Sequence, residues 1–182
     1  MNTFIAASAL FVSALIKPDA ALGLLFGLSV SISALFCRIC VGLSEKYVER
    51  KALLFGTVVF SICISAAFSR SVGSIFSGEA DSFFYGVTSA GSAIISFFAC
   101  SKEGISAAEV LKNVLPVIPL SFGVSILREL FGEGSIFGRE LELMHEFKIN
   151  SLSGHLGALL LISGVVGITV IVRERLGGED GT

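Results

Sequence analysis

Six apolar runs, each closed off by charge or by proline and glycine, dominate this sequence: Thr3–Ile16, Ala20–Leu43, Ala52–Phe68, Ser82–Cys100, Ala107–Leu127 and Gly154–Val172. Such runs constrain a fold strongly, because a bilayer core admits only elements that satisfy their own backbone hydrogen bonds. A crossing helix needs about 20 apolar residues, at ~1.5 Å each, to span ~30 Å of hydrocarbon. The first run, at 14 residues, reaches only ~21 Å; the other five come near that length or exceed it. Across the whole chain 53% of residues are hydrophobic and 15% charged, where a soluble domain carries about 25% charge. Too few polar side chains remain to coat a globule. The reading is an all-α, polytopic membrane protein of about six segments in a single domain, 1–182.

The loops hold nearly all the charge. Ser44–Lys51 carries Glu45, Lys46, Glu49, Arg50 and Lys51, and Arg38, near the end of the second run, can snorkel to the interface. Threading six segments through a bilayer puts eight basic residues on the side of the termini and five on the other. That bias predicts a multi-pass protein of the inner (plasma) membrane with both termini in the cytoplasm. A net charge of −2 gives no footprint for nucleic acid. Thr3–Ile16 lacks a basic flank and is followed by Lys17-Pro18-Asp19, so it reads as part of the fold rather than a signal peptide. Cys37, Cys40, Cys63 and Cys100 lie in or beside apolar runs, the pattern of small packed thiols rather than of a disulfide framework. His155, which opens the sixth run, belongs at the interface.

An internal echo links the two halves. Phe26-Gly27-Leu28-Ser29-Val30-Ser31-Ile32 resembles Phe122-Gly123-Val124-Ser125-Ile126. Repeats of about 1–75 and 76–175, followed by a polar tail at 176–182, would each hold three spans, an odd number. The halves would then sit in opposite orientations, a design that uses short or broken helices near the midplane. The short first segment and the fourth, rich in small residues from Gly86 to Ala93, occupy corresponding places.

The least generic stretch runs from Arg128 through Glu129, Gly132, Gly134 and Gly138: Arg-Glu-Leu-Phe-Gly-Glu-Gly-Ser-Ile-Phe-Gly. On physical grounds it is a helix C-terminus followed by a solvated, glycine-rich turn. It has no strand before it and no lysine after its glycines, so it is not a phosphate loop. The stretch closely resembles the signature ending the fifth helix in one branch of the Rnf/Nqr membrane-subunit family, that of the E subunit of Rnf and the D subunit of the sodium-pumping NADH:quinone oxidoreductase. Chain length, six helices in two inverted halves, Ala21-Leu22-Gly23-Leu24, Val87-Thr88-Ser89-Ala90 and the basic Arg173/Arg175 tail follow the same pattern.

The resemblance implies a non-catalytic subunit of an ion-translocating electron-transport complex. Such a subunit pairs with a homologous membrane subunit of opposite topology, the two sharing a 2Fe–2S cluster with two cysteines from each. In this chain Ala9 and Ala90 stand at the two matched ligand positions, and alanine offers iron no donor. Cys37 and Cys40, at i and i+3 beside Arg38, are the alternative pair, although they lie at the far end of their helix. No charged residue lies at the centre of a span, so the chain has no intramembrane carboxylate of the sort that relays protons. A different class remains open: a six-helix substrate-binding subunit of a vitamin or metal importer, which needs a pocket of convergent polar and aromatic side chains.

Overall fold

The structure is a computed structural model and describes residues 3–17, 19–76, 82–101, 104–137 and 139–140, with positions 154, 157, 159–160 and 162–164. The described chain is mostly helical: α1 (Thr3–Leu15), α2 (Ala20–Ser44), α3 (Arg50–Phe76), α4 (Ser82–Cys100), α5 (Ala107–Val114) and α6 (Val117–Arg128). A single π-helical turn, Glu129–Glu133, follows α6, and then a minimal antiparallel hairpin of β1 (Ser135–Ile136) and β2 (Arg139–Glu140). Among the described residues, four helical stretches are long and apolar enough to cross a membrane: Ala20–Ser44, Arg50–Val72, Ser82–Cys100 and Ala107–Glu133. Most of the sixth run, and with it the completion of the second repeat, lies outside the described residues.

Local chemistry sets the helix ends. Asp19 caps α2, its carboxylate accepting from the Ala21 and Leu22 amides at 2.7 and 3.4 Å. Ser106 and Glu109 form a reciprocal capping box on α5. The fifth run is interrupted at Leu115–Pro116, because neither Pro116 nor Pro119 has an N–H to continue the ladder. The fourth run corrects the expectation of a short or broken helix. α4 is continuous over 19 residues, and its small residues serve packing: a Cβ at Gly91 would meet Val12 of α1 at 2.7 Å and Phe26 of α2 at 3.1 Å.

Two kinds of close contact hold the bundle. Gly23 and Gly27 of α2 face α6, where a Cβ at Gly27 would lie 2.7 Å from the Ile118 Cα and one at Gly23 would collide with the Ser125 side chain. Helix backbones come this near only where side chains are absent. The second contact is polar. Among the described side chains of α3, the buried ones are Thr57, Ser61, Ser65 and Ser69, spaced by four on one face. Ser65 Oγ lies 2.8 Å from Ser29 Oγ of α2 and accepts from Ser92 of α4 at 2.9 Å, while Ser61 donates to Ser96 at 2.9 Å and Ser69 meets Ser29 at 3.2 Å. The opposite faces of α3 expose Phe55, Val59, Phe60 and Ile62.

A helix that hides hydroxyls and presents phenylalanine is inside out for water and correctly dressed for lipid, where inter-helix hydrogen bonds replace the hydrophobic drive. Ser65→Leu should therefore destabilise the protein by about 1–3 kcal/mol, through overpacking and stranded hydroxyl partners. The outward Phe55→Leu should cost less than about 0.5 kcal/mol. Thermal unfolding in detergent or nanodiscs separates the two; an unchanged midpoint for Ser65→Leu would mean that this face is open, not packed.

Candidate functional site

The chain corner between α1 and α2 is where the bundle's backbone is most in need of partners. α1 starts beside the end of α4, with Phe4 stacked on Phe98 at 5.5 Å, and runs antiparallel to it. It ends after only 13 residues. Its last carbonyls and the first amides of α2 are left without intrahelical partners, in a place walled off by α4 and α6.

Two consecutive residues at the end of α6 satisfy both ends. Arg128 is 0% exposed, and its Nη1 donates to the carbonyls of Ser13 at 3.1 Å and Ile16 at 2.6 Å. Glu129 is 2% exposed, and its Oε2 accepts from the Ala20 amide at 2.9 Å. Ser135, from the hairpin, donates to the other carboxylate oxygen at 3.3 Å. The charges match the helix dipoles: a cation at the C-terminus of α1 and an anion at the N-terminus of α2. Gly134 ends the π-turn at φ +69°, a left-handed conformation suited to glycine, with its amide on the Glu129 and Leu130 carbonyls. Gly132 is buried beneath the same turn.

This arrangement corrects the solvated-turn reading of the segment. Arg128, Glu129, Gly132 and Gly134 come together as a buried clamp whose targets lie more than a hundred residues earlier in the chain. Gly138 and His155 lie outside the described residues.

The positions matched to cluster ligands are built differently from one another. Ala9 is fully enclosed, its carbonyl accepting from the Ser13 hydroxyl at 2.7 Å, whereas Ala90 is exposed on the outer face of α4. Methyl groups at both positions do not fit iron ligation. Cys37 is buried and donates to the Thr57 carbonyl at 3.4 Å, while Cys40 is only partly buried at the edge of a cleft between α2 and α3. Cys100 is also buried, its thiol 3.9 Å from the Ala34 carbonyl, and Cys63 faces outward. Among the described residues no three His, Cys, Asp or Glu side chains are grouped to hold a metal.

The hydroxyl face of α3 is the feature sequence reading passed over. Its signal was present as Thr57, Ser61, Ser65 and Ser69 recurring every fourth residue.

Apolar helices of spanning length, an inside-out α3 and a buried charged clamp define a polytopic helical membrane protein. Comparison with protein-family models, with characterised proteins and with solved structures finds no match.

Arg128→Ala should cost about 1.5–3 kcal/mol, because it leaves the buried Ser13 and Ile16 carbonyls without their charged donor. Glu129→Gln, which keeps an acceptor for the Ala20 amide, should cost clearly less than Glu129→Ala. Thermal unfolding of the three variants checks this; a neutral Arg128→Ala, or equal losses for the two Glu129 variants, would contradict the clamp.

Proposed function

We propose that the chain is a non-catalytic membrane subunit of an Rnf/Nqr-type ion-translocating electron-transport complex, whose own share of the redox centre has been lost. The observation that carries this reading is the position of the family-like segment. The one stretch of sequence specific to that resemblance, beginning at Arg128, is also the stretch that clamps the corner after the short first helix. A complex that moves ions by rearranging paired inverted repeats needs that corner held, whether or not this half ligates iron.

In this reading six spans form two inverted three-helix repeats, the termini face the cytoplasm of a cell with an inner (plasma) membrane, and a homologous subunit of opposite topology packs alongside. The outer face of α4 suits such a partner. Gly86 and Ala90 are exposed there at a spacing of four, a small-residue pair that permits close helix approach. Gly91, by contrast, is used inside the subunit. With Ala9 and Ala90 in place, a 2Fe–2S cluster shared with the partner would receive no sulfur from this half at the matched positions. Electron carriage then falls to other subunits.

Purification from native membranes tests the proposal. A homologous six-helix subunit should accompany the chain, together with flavin- or iron-carrying subunits, and Ala90→Leu should release that partner without unfolding this chain. Cys37→Ser with Cys40→Ser should leave the iron content of the complex unchanged. Iron lost on that double change would make the cysteine pair the ligands. Co-purification with a pair of ATPases instead would replace the redox reading with that of an importer subunit.

A further inference from the structure

Ser65 of α3 sits where three helices meet. Its Oγ has the Ser29 hydroxyl of α2 at 2.8 Å, the Ser92 hydroxyl of α4 at 2.9 Å and the Thr88 carbonyl of α4 at 3.4 Å. Ser69 extends the group through Ser29 at 3.2 Å. One turn along, Ser61 and Ser96 form a further pair at 2.9 Å. Every side chain in this seam is 0% exposed, and α3 turns Val59, Phe60 and Ile62 outward on its other faces.

Joining helices accounts for part of this seam, but two hydroxyls take no part in that. Thr88 Oγ1 and Ser33 Oγ are fully buried and have no hydrogen-bond partner in the protein. Other helical hydroxyls here fold back onto the carbonyl one turn earlier, as Ser13, Ser31, Thr57 and Ser121 do. These two do not. Thr88 shares the α4 face of Ser92 and Ser96, spaced by four, and its own carbonyl already meets Ser65. Ser33 lies between Ser29, which meets Ser65, and Cys37, which reaches the Thr57 carbonyl. The antiparallel register therefore sets it opposite Ser61. Both orphan hydroxyls face the seam, and a buried hydroxyl without a partner is costly unless water or an ion meets it.

We propose that the oxygens around Ser65 bind a small monovalent cation, of lithium or sodium size, with Thr88 supplying both its carbonyl and its hydroxyl. The other donors are the hydroxyls of Ser29, Ser65 and Ser92. Neutral oxygens of this kind replace the hydration shell of a monovalent ion inside a membrane. A divalent ion is held through carboxylates, and among the described residues the one buried acid, Glu129, is engaged at the α1–α2 corner. Oxygens only 2.8–3.4 Å apart favour a small ion over potassium. Water could meet the same hydroxyls, but water does not discriminate between salts. The site uses no residue of the Arg128 clamp and does not depend on the redox reading.

Thermal unfolding of the full chain in detergent, in lithium, sodium, potassium or choline chloride at one ionic strength, tests the site. Lithium or sodium should raise the midpoint saturably, by several degrees over choline, and by more than potassium does. Thr88→Val keeps the side-chain shape and removes the hydroxyl. It should hold its midpoint in choline and lose most of the rise. If Thr88 were only an unpartnered packing group, the same variant would be stabilised in every salt and keep the response. Ser31→Ala, which removes a hydroxyl bonded back to the Gly27 carbonyl at 2.9 Å, should keep the response in full. Midpoints that ignore the choice of cation would leave the hydroxyls to water and overturn the proposal. So would potassium matching sodium, a Thr88→Val protein with the parent's response, or a Ser31→Ala protein that loses it.

Discussion

A helix that stops inside a membrane protein leaves four carbonyls without partners, and the next helix begins with as many unsatisfied amides. Away from water each costs several kcal/mol. α1 stops after Leu15 and α2 starts at Ala20; Asp19 caps the Ala21 and Leu22 amides, and a dipeptide from the end of α6 takes further groups at both ends. Arg128 takes carbonyls at the end of α1 and Glu129 takes the first amide of α2. Each charge faces the helix end of opposite polarity. The tie joins the α1–α2 corner to the end of α6.

The rest of the bundle is joined by contacts that suit an apolar surround. Gly23 and Gly27 let α2 touch the backbone of α6, and Gly91 gives Val12 and Phe26 a flat surface on α4. Among the described side chains of α3, Phe68 and Val72 pack against the apolar core, and the fully buried ones are polar. A row of hydroxyls centred on Ser65 ties it to α2 and α4. Hydrogen bonds of this kind are worth about 0.6 kcal/mol apiece in membrane proteins.

The spans themselves were legible because their signal is local. Apolar length and flanking charge located α2, α3 and α4 to within a few residues at most ends, and the shortness of α1 was visible as well; the chief exception is α3, which runs from Arg50 to Phe76 rather than Ala52 to Phe68. The break in the second half was misplaced. Gly86 to Ala93 suggested an interruption of the fourth segment, whereas small residues in a lipid-facing chain also mark a contact surface, and α4 uses Gly91 that way. The interruption falls at Pro116, where an N–H is missing. The segment after Arg128 stood out in the sequence, but its burial did not. Its partners are backbone groups of Ser13, Ile16 and Ala20, and every residue carries such groups, so nothing in the side-chain pattern points to them.

Amide hydrogen exchange over residues 13–22 in lipid nanodiscs tests the clamp most directly, because it reads the helix ends themselves. The account predicts exchange of the Ala20 amide and its neighbours in the first turn of α2 as slow as that of a helix interior, with at least about tenfold acceleration in Glu129→Ala, the loss of a hydrogen bond to a charged group worth roughly 1.5–3 kcal/mol. Fast exchange at this corner in the unmodified protein, or rates that ignore Glu129, would contradict it.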